Sequence, residues 1–420
     1  MVTRETELRS DIDLTDRTHY RQGVPHDLFA ELRAVAPVVR HPAVTVASGE
    51  EVEFWSVLRH HEVQVANRDW ETFTAVDGPG LAPDTIYRDA EMLVAFDPPV
   101  HTRIRRLLSA GFTPRMVARL EDDIERRSER ILDDVVARGD DVVEFVSEVA
   151  HELPMHVIAD IVGIPDEDRP WVFEQTDVLL RNFDPDSGIS EEEGLVAQVG
   201  LFEYAQQLSE RKRAHPTDDI WTQLTQAEVV DDDGNAQQLT GHQLDAFFMI
   251  LSVAGSETTR NSLSQGILAM AEAPEQFALL GQDPEVLPTA ADEVLRWSSP
   301  VLMFTRTATR DVELGGAPVR AGDRVVMWYP SANRDDLVFD DPFRFDVRRT
   351  PNPHVAFGGG GPHHCLGANL ARKEIQVMLG ALARRFSAIE VVEAPGWIGA
   401  GPVHNVGVSL HRLPVRLVVA

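Results

Sequence analysis

The chain has 420 residues, 43% of them hydrophobic and 25% charged, which is enough to bury a large core. A formal net charge of −29 argues against nucleic acid and anionic membrane as partners, and one cysteine excludes an intramolecular disulfide and suits a reducing cytoplasm. Arg, Asp and Glu crowd Met1–Tyr20 and leave no apolar stretch there, so neither an ordinary signal peptide nor a membrane anchor is expected.

Taken in chain order, an amphipathic helix is predicted over 26–35, then two strand-like runs, 38–46 and 52–58, joined as a hairpin at Ser48-Gly49-Glu50. Helical periodicity dominates from Pro98 onward, near 100–110, 115–137, 142–162, 170–182, 195–214, 240–272, 287–297 and 366–386. Alternating residues over 311–327 and 407–419 read as short strands. No Ser/Gly- or Pro-rich linker and no repeat interrupts the chain, so a single domain, 1–420, is expected. Helix far outweighs strand, and the fold class is mostly α with small sheets near the N-terminus and the C-terminus.

The run Thr240–Glu272 is long enough to cross such a domain, about 50 Å at the rise of an α-helix. Thr240 with Gln243 forms a candidate capping box at its start, and the apolar stretch Phe247–Ala254 is hydrophobic all round. The polar patch Gly255-Ser-Glu257-Thr258 then stands out in mid-helix. Gly255 costs about 1 kcal/mol there relative to alanine, and its bare face lets a flat cofactor or oxygen approach. Glu257 and Thr258 set an acid beside a hydroxyl, a pairing suited to proton relay. On residues alone, a helix-packing glycine, a solvated Glu and a Thr bonded to its own backbone is the favoured account.

The cysteine, Cys365, closes the run Phe357-Gly-Gly-Gly-Gly-Pro-His363-His-Cys365-Leu-Gly367. Glycines strip side chains from the backbone ahead of the thiol, and the helical pattern after it puts Cys365 at a helix N-terminus, where a thiolate is stabilised. Such a thiolate is a candidate axial ligand for haem iron. A lone cysteine without context more often reads as an inert core residue.

Context comes from four motifs in order: Ala254-Gly-Ser-Glu-Thr-Thr259, Glu293-Val-Leu-Arg296, Pro342-Phe-Arg344-Phe345 and Phe357–Gly367. Together they resemble the cytochrome P-450 monooxygenases of the soluble bacterial type, from about Asp97 to the C-terminus. The resemblance implies the P-450 fold, haem b bound through Cys365, and oxygen insertion into a C–H bond using O2. By the same resemblance, Glu257 and Thr258 are the proton relay, and Ala254, Gly255, Phe357, Gly358 and Gly367 surround the cofactor. His101, Arg105, Arg306 and His363 are candidate partners of the haem propionates. Glu293, Arg296 and Arg344 form a structural network.

No reductase domain fits beside a full haem domain in this length. The resemblance therefore implies electrons from NAD(P)H through a ferredoxin reductase and a ferredoxin, a cytoplasmic enzyme and a monomer. The acid-free segment Pro98–Leu120 supplies candidate docking residues Arg103, Arg106 and Arg115 for an acidic donor, joined by Arg372.

The residues expected to line the substrate pocket are Ile250, Val253, Ala254, Val301, Leu302, Val403 and Val406, all aliphatic, which suits a hydrocarbon. The gap from Phe357 to Cys365 is one residue longer than in most of the family. It is similar to actinobacterial enzymes that hydroxylate steroid side chains and methyl-branched chains, and a steroid, terpenoid or branched lipid follows by that analogy. A polyketide or macrolide tailoring role is the alternative, and a non-enzymatic haem-thiolate sensor a remote one.

Overall fold

The computed structural model describes residues 10–46, 49–109, 114–139, 142–182, 187–230, 236–399, 401–403 and 407–419, with backbone alone at 114–119, 229–230 and 403. Its first long helices are α1 (His26–Val35), α2 (His60–Arg68), α3 (Val100–Ser109) and α4 (Pro114–Arg138). Next come α5 (Glu152–Val162), α6 (Arg169–Arg181), α7 (Glu191–Ala214) and α8 (Ile220–Gln226). The last four are α9 (Gly241–Glu272), α10 (Pro274–Gln282), α11 (Leu287–Ser298) and α12 (Ala368–Arg385).

Local sequence explains some of these boundaries. Thr240 caps α9 through its hydroxyl, which accepts from the Gln243 N–H at 3.1 Å, while Gln243 reaches back to the Thr240 N–H at 3.1 Å. Ser190 and Glu193 cap α7 in the same way. Of the apolar run in α9, Phe247, Phe248, Met249 and Leu251 are buried, whereas Ile250 and Val253 are half-buried and Ala254 is exposed, so one face stays open. Further along, Leu263, Ile267 and Met270 are fully buried, and the helix passes through the main core between α5, α11 and α12.

One predicted helix divides. Residues 142–162 contain a short strand at Val143–Glu144, a π-helical turn at Val146–Ala150 that His151 closes by donating to Val146 O, and only then α5. The β-branched pair Val142-Val143 is better used against a strand edge than in a helix. Helices α2, α8 and α10 are additions to the predicted set.

The sheets are small but less local than the pattern implies. Strands β1 (Val38–Arg40), β2 (Phe54–Val57) and β3 (Phe73–Thr74) come from the first quarter of the chain, β5 (Met303–Ala308) and β6 (Arg324–Trp328) from far beyond it. They form one five-stranded sheet in the order β1-β2-β6-β5-β3, with β2 and β6 parallel and Phe54 opposite Arg324. The predicted hairpin is present as the pairing of Val44–Thr45 with Glu51–Val52; Ser48 lies outside the described residues. Near the C-terminus, β7 (Phe386–Val391) pairs antiparallel with β9 (Pro414–Val419), whose other edge takes up β4 (Val143–Glu144). Strand β8 (Val408–Arg412) pairs with Gly396–Gly399. Among the described residues, no helix is long and apolar enough to cross a membrane.

Candidate active site

The cysteine loop rests on an unusual backbone. Gly358, Gly359, Gly360 and Gly361 all have positive φ, from 65 to 101°. The turn is closed by the Cys365 N–H donating to Phe357 O at 3.0 Å and the His364 N–H donating to Gly361 O at 3.3 Å. What approaches the glycines is protein: a Cβ on Gly361 would lie 2.3 Å from Asn67 O, and one on Gly360 would lie 2.8 Å from Arg68 Nε. At Gly360 and Gly361 the bare backbone receives the end of α2, while Gly358 has only the His363 carbonyl nearby, at 3.6 Å. Arg68 Nε also donates to Gly359 O at 3.1 Å.

Cys365 stands three residues ahead of α12, as predicted, and keeps open surface. Desolvation by the protein packed around it pushes its thiol up, against the downward pull of the Gly367 backbone N–H, Arg105 and Arg372. The helix start alone does not ionise it; a metal cation would, since a coordinating thiol is deprotonated outright.

Four basic side chains gather near this loop. His101, on α3, is 1% exposed, and neither ring nitrogen has a hydrogen-bond partner. Its ring lies 4.3 Å from that of His363, whose Nε2 is also buried and unpartnered. Burial, then Arg105 and Arg306, push His101 down to about 4, and burial with Arg306, His101 and Arg105 holds His363 well below its ordinary value. Both imidazoles are thus neutral near pH 7, and the two guanidiniums carry the charge. Helix periodicity separates the arginines of α3 as predicted: Arg105 is half-buried on the His101 face, whereas Arg103 and Arg106 are exposed. The Arg115 side chain lies outside the described residues.

On α9, a Cβ at Gly255 would lie 2.8 Å from Ile158 Cδ1, so that glycine lets α5 pack close. Thr258 Oγ1 donates to Ala254 O at 2.8 Å, and buried Glu257 forms an ion pair with Arg260, one turn on. Ala254 is exposed; Ile250, Val253 and Thr258 are half-buried. Val301 is half-buried too, but Leu302 packs with Met303, Trp328 and Val408 in a secondary core, which corrects its placement in a pocket lining. Val406 and the Val403 side chain lie outside the described residues.

Glu293 and Arg296 pair through two bonds of 2.7 and 2.8 Å, both side chains fully buried. Arg296 also donates to the carbonyls of Asn333 and Pro342 at 2.9 Å, and to that of Arg344 at 3.3 Å. The side chain of Arg344 is exposed. The third member is instead Arg349, whose Nε lies 3.2 Å from Glu293 Oε2, with Asn352 Nδ2 also donating to that oxygen at 3.2 Å. Arg372 is held in place: its Nε donates to Asp292 at 2.6 Å and its guanidinium lies over the Phe357 ring.

Residues 173–395 match the family model for cytochrome P450. The chain is 43% identical over 396 residues to cytochrome P450 126 of Mycobacterium tuberculosis, covering 92% of this chain and 94% of that one. This chain belongs to the cytochrome P450 family. The P450 is also 39% identical to the steroid C26-monooxygenase of Mycobacterium tuberculosis, over 92% of its own length and 90% of the relative's. A Mycobacterium marinum cytochrome P450, CYP268A2, solved in complex with pseudoionone, superposes with a TM-score of 0.87 at 36% identity, over 97% of this chain and 99% of that one.

The family implies haem, and this P450's residues fit it. An open thiol stands near two neutral imidazoles, with both nitrogens of His101 and Nε2 of His363 buried and unpartnered, and near two guanidiniums, a donor set suited to an iron centre carrying two carboxylates. Sequence reasoning missed Arg349, Asp292 and His354. Each is one polar residue among several nearby, and spacing gives no means of choosing between them.

Proposed function

We propose that this P450 monooxygenase hydroxylates the terminal or methyl-branched end of a steroid side chain, terpenoid or branched lipid. Electrons would come from NAD(P)H through a ferredoxin reductase and a small acidic ferredoxin. Two relatives support the substrate class: one is named for a steroid C26 position, the other was solved with an acyclic terpenoid ketone. The observation that carries the reading is the chain's one cysteine, held on a four-glycine turn beside His101, Arg105, Arg306 and His363.

In this reading Cys365 Sγ ligates the iron of haem b, while His101, Arg105, Arg306 and His363 hold its propionates. Once bound, the haem supplies a centre that accepts single electrons and activates O2. Phe357, Gly358 and Gly367 shape the loop on the thiolate side, and Ala254 and Gly255 belong to the opposite wall. Thr258 Oγ1, anchored on Ala254 O, keeps lone pairs free to hold a water in the pocket. Glu257, screened by Arg260, resupplies the proton that Thr258 and its water pass on. Ile250, Val253 and Val301 present hydrocarbon to the substrate and exclude bulk water. Arg103 and Arg106 form the outward docking face on α3.

The test is optical. Reduced and carbon-monoxide-bound, the wild-type protein should show a strongly red-shifted Soret band that Cys365→Ser loses together with all hydroxylation; a colourless wild type rejects the reading. Spectral titration with a steroid, an acyclic terpenoid, a branched fatty acid and a macrolide resolves the substrate class. A spin-state shift with the macrolide alone would replace the lipid assignment.

A further inference from the structure

Behind the cysteine loop, one carboxylate holds two cationic or ionisable partners at once. Asp292 Oδ1 accepts from Arg372 Nε at 2.6 Å and lies 3.1 Å from His354 Nε2. The Ala356 N–H donates to His354 Nδ1 at 3.3 Å, so it is Nε2 that carries the ring proton and donates to Asp292. Both partners then meet Phe357. The Arg372 guanidinium lies 4.6 Å from the ring centroid, and the His354 ring is 5.7 Å away. Phe357 O in turn accepts the Cys365 N–H at 3.0 Å. A three-part contact therefore runs from α11, through α12, to the backbone of the cysteine.

The electrostatics point the same way. Arg105 and Arg372 are the two cations acting on Cys365, and Arg372 also acts on His364. Arg105 lies among the basic groups around His101, whereas Arg372 is balanced by Asp292. The Arg372 and Asp292 side chains are 37% and 32% exposed, so their charges are screened in part but not erased.

We propose that Asp292 and Arg372 act as a positioning pair that sets the reduction potential of the centre held by Cys365. They do so by fixing the Phe357 ring and by balancing the charge behind the sulfur. The proposal rests on the reading of Cys365 as the iron ligand. A free Arg372 cation would stabilise the anionic sulfur, draw electron density from the metal and favour the reduced state; a free Asp292 anion would do the reverse. The assignment also gives Arg372 a role other than partner docking.

The experiment uses the haem-loaded, substrate-free protein and measures its potential by optical redox titration with dyes, with no partner protein present. Asp292→Asn keeps both hydrogen-bond acceptor contacts and removes the charge, and should shift the potential positive. Arg372→Gln should shift it negative. Each change should alter the reduction equilibrium constant by roughly two- to fivefold, the scale of a partly exposed charge pair. The double variant should return close to wild type, and added salt should shrink both shifts. A purely structural role would instead move both variants the same way, or convert both to a spectrum without the thiolate band. Either result, or unchanged potentials with that band intact, overturns the proposal. Should Arg372→Gln shed its haem, Arg372→Lys keeps the charge and must hold the potential near wild type; a shift there also overturns it. A wild type without the thiolate band rejects the ligand reading first.

Discussion

Glu374, on α12, is 2% exposed, and its Oε2 has no hydrogen-bond partner among the described residues. Burial alone pushes its carboxyl from 4.5 up to about 8, so at neutral pH the side chain is mostly protonated. A folded pKa above the unfolded one means the native state binds the proton more tightly. The contribution to stability is complete below about 4.5 and is lost as pH rises through about 8. Glu374→Gln keeps the shape without titrating. Its stability relative to wild type should therefore grow between those two pH values, by on the order of a few kcal/mol at the upper end. Denaturant unfolding of the haem-loaded proteins across this range measures it, and a pH-independent difference would sink the idea.

Helices α5 and α9 meet where Gly255 faces Ile158. Alanine at Gly255 gains about 1 kcal/mol in helix propensity, but its Cβ meets Ile158 Cδ1 at 2.8 Å, and overpacking of that kind costs about 1–3 kcal/mol. The clash should win, making Gly255→Ala destabilising in the wild-type background. Ile158→Val removes the offending methyl, so in that background the same alanine should cost far less. Denaturation midpoints for the four proteins of the cycle give the coupling, and strictly additive effects would show that the two helices do not meet through this pair.

Across the molecule, the buried Glu293–Arg296 pair fastens α11 to the long irregular segment leading to the cysteine. Arg296 holds the Asn333 and Pro342 carbonyls, and Asn333 Oδ1 accepts the Val355 N–H at 2.8 Å, two residues before Phe357. Removing one partner from a buried ionic network costs about 3–5 kcal/mol, whereas an exposed side chain away from such features usually changes stability by less than about 0.5 kcal/mol. Arg349→Gln should accordingly lower the thermal midpoint and speed haem loss to an acceptor protein, and Arg344→Gln should do neither. The reverse ranking would restore Arg344 as the third member.

Cys365, the capped helix α9 and the inward and outward faces of α3 were legible because each is decided locally. A capping box spans three residues, helix faces repeat every 3.6, and a glycine run with one thiol needs no distant partner to be noticed. The four ordered motifs carried the family for the same reason. Local rules stop where choice depends on what packs alongside. Gly255, Gly360 and Gly361 were visible as bare backbone, yet only the fold shows that Ile158 and the end of α2 come up against them. Arg344 and Arg349 lie five residues apart in one polar segment, and which reaches Glu293 is settled by the path of the chain. Arg372 likewise looked like any surface arginine until Asp292 and Phe357 were brought beside it. The parallel pairing of β2 with β6 joins Phe54 to Arg324, and the strand pattern of each segment specifies period and face but not partner. Residue type and spacing thus determined which chemistry this chain carries. Tertiary structure decided which neighbours hold it in place, because those contacts are non-local and leave no period in the sequence.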